Sequence, residues 1–287
     1  MLKRYCFILL ISCTALPLSA VGLQGGIMND STARPSVTHD NVLKLKYGWV
    51  WQTDPYLSPL AYSGNLIGLA NEWWQPFRSD TRLGRTGKLA NWGHVGTIDI
   101  HGLRAYSSAY TNLIYGLGFH AGWGAYYRFA WLDNRLRLII GPFLEADFMV
   151  RQIGSNVNKP YSFDVGIDAM AMAGLQWSFY GRKTSYRLRY RIRTNLIGMD
   201  YLPDYWQSYF EIVSGVPGLY RCSGHWNHNV VRHDLSLDLQ FPHSTWRIAA
   251  EHEFLNYATE YMQFTRNQVS IVVGCIWQYR IKPNARL

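Results

Sequence analysis

Four arginines spaced two residues apart are the densest cluster of charge in this sequence. The segment SYRLRYRIRTN (185–195) contains Arg187, Arg189, Arg191 and Arg193, with Tyr, Leu or Ile between them. Successive side chains of an extended strand point to opposite faces, so these guanidinium groups share one face and repel one another unless carboxylates or anions intervene. The segment therefore predicts either an ion-pair network or a surface that attracts anions.

Other charged residues alternate with apolar neighbours in the same way. In RLRLIIGPFLEADFMVR (135–151), charged residues share one face and apolar residues the other. Lipid excludes a face so rich in charge, whereas the inside of a barrel accommodates it. We therefore predict a charge network that lines a barrel lumen. Its members are Arg128, Arg135, Arg137, Glu145, Asp147, Asp164, Asp168, Arg187, Arg189, Arg191, Arg193, Asp234, Asp238, Arg247, Glu251 and Glu253.

The predicted lumen network has two interpretations. Internal ion pairs would fill a narrow lumen and act as a structural scaffold, or the arginines would line a narrow, porin-like passage that prefers anions. A barrel of roughly ten strands leaves little open space once side chains fill it, which favours the filled lumen.

The segment CSGHWNH (222–228) groups further reactive side chains. Cys222, His225 and His228 follow at three-residue intervals and are candidate metal ligands, although a four-ligand site needs another donor. Groups at an extracellular rim also permit an alternative function, an outer-membrane hydrolase acting on lipid or a surface substrate. The sequence has no nucleophile elbow, phosphate loop, dinucleotide fingerprint or zinc-protease helix, so we assign no catalytic residue and no cofactor.

Long strands with a period of two must position these side chains. In LIYGLGFHAGWGAYYRFAW (113–131), every odd-numbered residue is apolar or aromatic. This segment is much longer than the usual strand of about 5–6 residues in a soluble domain. About 9–11 tilted strand residues cross a bilayer, and the remainder can project beyond it. The pattern therefore predicts a transmembrane strand.

Similar segments recur along the chain, joined alternately by short polar turns and longer loops. The short turns are LDNR, GRKT and PHST, and a long loop spans about 200–228. Short turns that alternate with long loops are typical of outer-membrane barrels. We predict an all-β fold, a transmembrane antiparallel up-and-down β-barrel of about 10–12 strands. The count is ten, or twelve if the loop at 200–228 contains a hairpin.

The N-terminal segment MLKRYCFILLISCTALPLSA has the features of a secretory signal peptide. Lys3 and Arg4 precede an apolar run, and small residues lead to Ala20. A second interpretation is a lipoprotein-type cleavage site that would leave Cys13 lipidated. The predicted divisions are a signal peptide at 1–20, a short periplasmic segment at 21–41 and an outer-membrane barrel at 42–287.

Composition narrows the classes of partner. The net charge is +9 at pH 7 and the mean hydropathy is −0.14, an intermediate value expected when half of the strand positions face lipid. Basic residues alternate with apolar ones along strands instead of clustering on a helix, so we expect no nucleic-acid partner. They can contact anionic lipid head groups instead. A soluble exported barrel that binds a small ligand is the remaining alternative.

The stretch TDPYLSPLAYSG (53–64), between the first two strands, resembles a family of Gram-negative outer-membrane barrels known only as a domain of unknown function. The signal peptide and the terminal strand add to this resemblance, which covers most of the mature chain. The resemblance implies the barrel fold, an outer-membrane location, and contact with membrane lipids and the barrel-insertion machinery. It carries over no catalytic residue. One departure is that IKPNARL follows the aromatic terminal strand, whereas many barrels end at an aromatic residue.

Overall fold

The computed structural model describes most of the chain between residues 38 and 280. It describes residues 38–77, 91–108, 112–132, 135–156, 158, 160–181, 184–201, 214, 220–258 and 262–280. The predicted signal peptide at 1–20 and the candidate lipidation site Cys13 lie outside these residues, as does most of the loop that was considered for an extra hairpin. No helix within the described ranges is long and apolar enough to cross a membrane.

Strands make up nearly all of the described structure. In chain order they are β1 (Thr38–Asp54), β2 (Ser58–Pro76), β3 (Trp92–Ser107), β4 (Leu113–Trp131), β5 (Leu136–Ile153), β6 (Tyr161–Tyr180), β7 (Ser185–Tyr201), β8 (Tyr220–Gly224), β9 (His228–Gln240), β10 (Thr245–Ala258) and β11 (Gln263–Arg280). β1 begins before the predicted barrel boundary at residue 42. β4 has the limits that the alternation of its sequence predicts.

Hydrogen bonding between these strands closes a ring. Each strand from β1 to β7 pairs antiparallel with the next, β7 pairs with β9, β9 with β10, β10 with β11, and β11 with β1. The short β8 lies along the same edge of β7 as β9, so the two share one position. The ring therefore has ten positions, which confirms the predicted antiparallel up-and-down barrel.

Side chains alternate between an apolar outside and a largely polar inside. On β1, Leu45 is 54% exposed, whereas the adjacent Lys44 is 2% exposed. Large apolar residues continue this outer belt on other strands, including Ile67, Leu117 and Ile271. Water would disfavour so much exposed apolar surface, whereas hydrocarbon accommodates it. The outer face is therefore the one that contacts lipid.

The motif TDPYLSPLAYSG forms the hairpin between β1 and β2. Its turn spans residues 55–57 and is closed by the Leu57 N–H, which donates to the carbonyl oxygen of Asp54 at 3.1 Å. Tyr56 and Leu57 are each 2% exposed and pack inside the barrel with Met149. The hairpin therefore folds over the lumen at one end of the barrel, which we name the loop end. The opposite end, with the turns at 132–135, 181–184 and 241–244, is the turn end.

The position shared by β8 and β9 contains an interruption. Pairing of β8 with β7 ends at Gly224, and pairing of β9 with β7 begins at Val231. The buried side chain of Asn195 spans the gap: Nδ2 donates to the carbonyl oxygen of His228 and Oδ1 accepts from the N–H of Val230, both at 2.9 Å. Buried backbone groups must be paired, so this side-chain amide replaces ladder bonds that the interruption removes.

A lipid-facing outer belt predicts the effect of a charge at mid-strand. Ile271→Arg on β11 should lower the free energy of unfolding in lipid vesicles by about 2–4 kcal/mol, the cost of an arginine at the bilayer midplane. Ser244→Arg in an exposed turn is the matched control and should change it by less than about 1 kcal/mol. Equal effects of the two substitutions on urea unfolding would contradict the assignment of the outer face.

The two hydrogen bonds of Asn195 at the interruption between β8 and β9 should contribute strongly to the stability of the barrel. Asn195→Ala leaves a buried N–H and a buried carbonyl without their partner, at a cost of about 1–3 kcal/mol for each group. Urea unfolding of the refolded barrel measures this loss. Asn65→Ala, on the exposed outer face of β2, is the control and should be close to neutral. A neutral Asn195→Ala would show that the side chain does not hold the interruption together.

Candidate functional site: the charged lumen

Ion pairs between strands that are not neighbours locate the charged face inside the barrel. Glu72 on β2 lies 2.6 Å from Arg191 Nη2 on β7 and 2.8 Å from Arg247 Nη1 on β10. β2 is hydrogen-bonded to β1 and β3, so neither arginine lies on an adjacent strand. These contacts must cross the lumen.

Glu72 is the centre of the lumen contacts. Besides Arg191 and Arg247, its carboxylate lies 2.9 Å from Lys44 Nζ and 3.7 Å from Arg189 Nη1. The indole Nε1 of Trp74 donates a further hydrogen bond at 2.7 Å. The residue is 1% exposed, and a buried carboxylate is tolerated when cations and hydrogen-bond donors surround it.

Each arginine of the 187–193 series has a carboxylate partner. The pairs are Arg187 with Asp40 at 2.6 Å, Arg189 with Glu72 at 3.7 Å, Arg191 with Asp234 at 3.2 Å, and Arg193 with Glu145 at 2.8 Å. These carboxylates offset the repulsion expected among guanidinium groups two residues apart. Ion-pair contacts are thus present along the whole 187–193 series.

Aromatic rings complete the surroundings of these arginines. The Arg189 guanidinium carbon lies 4.5 Å from the centre of the Trp74 ring, and that of Arg193 lies 4.8 Å from the centre of the Phe143 ring. Cations over aromatic faces gain electrostatic attraction, more so when water is excluded. The arginines are thus held on one side by carboxylates and on another by rings.

Further ion pairs extend the network around the ring. Arg232 on β9 lies 2.6 Å from Glu145, 2.8 Å from Asp147 and 3.3 Å from Glu253. The remaining pairs among the described residues include Arg266 with Glu253 at 2.7 Å, Arg247 with Asp238 at 2.6 Å, Lys46 with Asp99 at 2.7 Å and with Glu251 at 2.8 Å, and Arg151 with Asp54 at 2.9 Å and Asp164 at 2.6 Å.

Little space is left between these side chains. A cavity of about 50 Å³ lies among Lys44, Asp99, Arg191 and Glu251. A water molecule needs about 10–15 Å³ of such space, so this cavity has room for a few waters at most. Buried apolar side chains lie on both sides of the charged layer. Tyr56, Leu57, Leu103 and Met149 cluster towards the loop end, and Trp74, Tyr126 and Ile139 towards the turn end.

The structure places three of the predicted network residues at the edge of the network. Arg135 lies exposed in the turn between β4 and β5, so its predicted place in the lumen needs correction. Its alternation with Arg137 pointed to the inner face, but the hairpin turn takes Arg135 out of the strand. Arg128 and Arg137 are partly buried near the turn end.

Several central residues were not among the predicted members. Glu72 is the most important, and Lys44, Lys46 and Asp99 also belong to the network. The inner face of β2 carries Leu66 and Ala70 beside Glu72, so the contrast between the two faces of that strand is weak. The alternation of β1 places Lys44 and Lys46 inside, but it cannot be extended to Asp99, because the inner positions have even numbers on β1 and β2 and odd numbers on β3.

Cys222, His225 and His228 do not converge on a common point. Cys222 and His225 are exposed, and His225 Nε2 lies 3.5 Å from the Thr194 hydroxyl, whereas His228 is buried in the lumen. The turn at 225–227 interrupts the strand and places the two histidines on different sides of the wall. The predicted metal triplet is therefore not assembled.

His228 has other neighbours. Its Nδ1 lies 2.7 Å from Asp200 Oδ2 and 3.8 Å from Asp168 Oδ1. Within the part of the chain that the structure describes, two other groups of carboxylates and histidines come equally close together: Asp99, His101 and His120, and His120, Glu145 and Asp147. Asp147 also contacts His120 Nδ1 directly.

Comparisons with known proteins give one family and several distant structures. No curated protein sequence matches the chain. Similar solved structures include the transport unit of the autotransporter AIDA-I from Escherichia coli, with 8% identity, a TM-score of 0.41, and coverage of 87% of this chain and 92% of that one. The outer membrane protease OmpT from Escherichia coli gives 6% identity, a TM-score of 0.46, and coverage of 88% and 100%. The β domain of the Bordetella autotransporter BrkA has 10% sequence identity and a TM-score of 0.44, and the match covers 84% of this chain and 100% of that one.

None of these three TM-scores reaches 0.5, so the barrel fold is assigned from the pairing of the strands and not from these similarities. Residues 6–276 match the family described as "Protein of unknown function (DUF3316)". This match confirms the resemblance to a barrel family that is known as a domain of unknown function. The chain therefore belongs to the DUF3316 family.

Proposed function

We propose that this protein is an outer-membrane β-barrel whose lumen is closed by internal ion pairs, so that it serves as a membrane-embedded scaffold and not as an open pore. Glu72 carries this proposal. Its carboxylate joins cations from β1, β7 and β10 within one buried layer. A lipid-facing outer belt and a closed ring of strands support the membrane location.

The charges of the lumen favour a plug over a path for anions. A passage that prefers anions needs cationic groups that are free to bind them. Here Arg187, Arg191 and Arg193 each donate a hydrogen bond to a carboxylate, whereas Arg189 lies 3.7 Å from Glu72 and donates to Gln176. A passing anion would have to displace those carboxylates, and it would also have to pass the apolar clusters that contain Leu57 and Ile139.

The alternative of an outer-membrane hydrolase draws no support from the described residues. Its candidate groups were Cys222, His225 and His228, which lie on different sides of the barrel wall. We therefore retain the scaffold as the proposed function.

Single-channel recording in planar bilayers tests the closed lumen. Refolded wild-type protein, with folding shown by heat-modifiable migration, should give no discrete openings. The Glu72→Ala/Arg191→Ala double variant removes both sides of a central ion pair without changing the net charge. It should also stay silent, because the apolar clusters that contain Leu57 and Ile139 remain in place. Discrete anion-selective openings of the wild-type protein would contradict the plug and place the arginines at a constriction.

Removing the charge of a network carboxylate should destabilise the barrel, and the loss should be larger for a carboxylate that contacts more cations. Glu72→Gln breaks contacts with four buried cations and should lower the free energy of unfolding by about 3–5 kcal/mol, as for other buried pairs that lose one partner. Glu251→Gln is the matched control. This substitution should lower the free energy of unfolding by a smaller amount, because Lys44 still forms its ion pair with Glu72 and Lys46 still forms its ion pair with Asp99. Urea unfolding in vesicles measures both, and a smaller loss for Glu72→Gln would argue against its central role.

A further inference from the structure

Two buried carboxylates of the lumen differ from the others in their partners. Asp168 on β6 and Asp200 on β7 are 1% and 3% exposed. Neither has a lysine or arginine of the described residues within 4.0 Å, and their ion-pair contacts are to His228. The other buried carboxylates each lie within that distance of a lysine or arginine. These are Asp54, Glu72, Asp99, Glu145, Asp234 and Asp238.

Two neighbouring buried charges of the same sign are costly. Removing a carboxylate from water without a counter-charge is unfavourable, and a second carboxylate beside it adds repulsion. A protonated imidazole supplies at most one positive charge, so His228 cannot balance two neighbouring carboxylates by itself. Asp168 and Asp200 therefore lack the lysine or arginine partner that every other buried carboxylate of the described lumen has.

The polar atoms of this group face one another at short distances. One ligand atom from each of Asp168, Asp200 and His228 lies within 4.8 Å of the other two. Asp168 Oδ1, Asp200 Oδ2 and His228 Nδ1 are buried and have no hydrogen-bond partner. The shortest contact in the group is the 2.7 Å between Asp200 Oδ2 and the ring nitrogen of His228.

Glycines make room for the two carboxylates. Gly198 is the register partner of Asp168, and Gly166 is the register partner of Asp200. A Cβ atom at Gly198 would collide with Asp168 Oδ1, and one at Gly166 would collide with Asp200 Oδ1. Each carboxylate thus occupies space that a side chain opposite it would fill.

We propose that Asp168, Asp200 and His228 bind a divalent transition-metal ion of the Zn²⁺ type. Two carboxylate oxygens and one imidazole nitrogen form a ligand set that suits Zn²⁺ better than the all-oxygen sets of Ca²⁺ and Mg²⁺. Tetrahedral ligands about 2.0–2.1 Å from Zn²⁺ are about 3.4 Å apart, and the contacts of His228 with the two carboxylates bracket that distance. Water would complete the coordination.

The other two groups of carboxylates and histidines do not share this property. Asp99 lies 2.7 Å from Lys46 Nζ, and Asp147 lies 2.8 Å from Arg232 Nη2. These ammonium and guanidinium groups already supply the positive charge and would repel a metal ion. Charge therefore selects one of the three groups as the metal site.

The location of the site gives the metal a structural role. Its ligands come from β6, β7 and the first residue of β9, directly after the turn that separates β9 from β8. Asn195 already holds the backbone of His228 at this interruption. A metal bound to His228 would fix the same point to β6 and β7, where the regular ladder is absent.

Titration of the purified, refolded, chelator-stripped full chain with Zn²⁺ tests the site. Calorimetry and elemental analysis should give one Zn²⁺ per chain. Asp168→Asn, Asp200→Asn and His228→Gln should each weaken binding by more than about 100-fold, because even partners outside the ligand set cost about 10–100-fold. Chelator should lower the melting temperature of the wild-type protein and leave that of Asp168→Asn unchanged.

Two matched comparisons separate this site from other sources of binding. The Cys222→Ser/His225→Gln variant removes exposed ligands and should bind Zn²⁺ as the wild-type protein does. Gly166→Ala keeps all three ligands but crowds Asp200, so it should weaken binding, whereas Gly154→Ala, with no atom near its Cβ position, should not. Heat-modifiable migration verifies the fold of each variant.

Two results would overturn the site. The first is a folded wild-type chain that does not bind stoichiometric Zn²⁺. The second is binding that is lost in Cys222→Ser/His225→Gln and kept in Asp168→Asn. Conduction by the wild-type barrel would bear on the closed lumen alone and would leave this titration unaffected.

Discussion

Backbone hydrogen bonding between the first and last strands is the constraint on which the rest of the structure depends. β1 pairs with β11 from Thr38 and Arg280 to Thr53 and Thr265. Hydrocarbon offers no partner for an unpaired N–H or carbonyl group, so a sheet in lipid must close on itself. Closure gives each strand one face towards lipid and one towards the lumen. The alternation of apolar and polar residues along the chain follows from this closure.

Closure at ten positions makes the lumen narrow enough for side chains of opposite strands to meet. Glu72 therefore reaches Arg191 and Arg247 on strands that do not adjoin its own. In a wide barrel, such charges would face water and their ion pairs would contribute little. Here the charged side chains are buried, so each of them needs a partner. The lumen resembles a protein core in its packing, although charged groups provide much of its contact.

The ladder is interrupted between β8 and β9, and the unusual pair of carboxylates lies beside this interruption. Irregular strand segments are frequent next to functional sites because they redirect a side chain. The turn at 225–227 directs the side chain of His228 into the lumen, where its ring nitrogen contacts the carboxylates of Asp168 and Asp200. The same feature thus connects a local backbone irregularity, held by Asn195, with the proposed metal site.

The sequence by itself determined the class of fold and the face on which most charges lie. A period of two reports which side of a strand a residue occupies, and it defined β4 from Leu113 to Trp131. It also brought out the series from Arg187 to Arg193, because large apolar residues separate those arginines. It was less informative for Glu72, whose inward neighbours are apolar, and it misplaced Arg135, which belongs to a turn.

Only the tertiary structure decided which charges are partners. Glu72 is far from Arg191 in the chain and on a different part of the ring, so their contact depends on strand register and lumen width. The spacing of His225 and His228 likewise suggested a shared site, yet the interruption separates them, and His228 joins Asp168 and Asp200 instead. Spacing along one strand fixes a side chain's face. Its partners are fixed by closure of the barrel, which brings distant strands within contact distance.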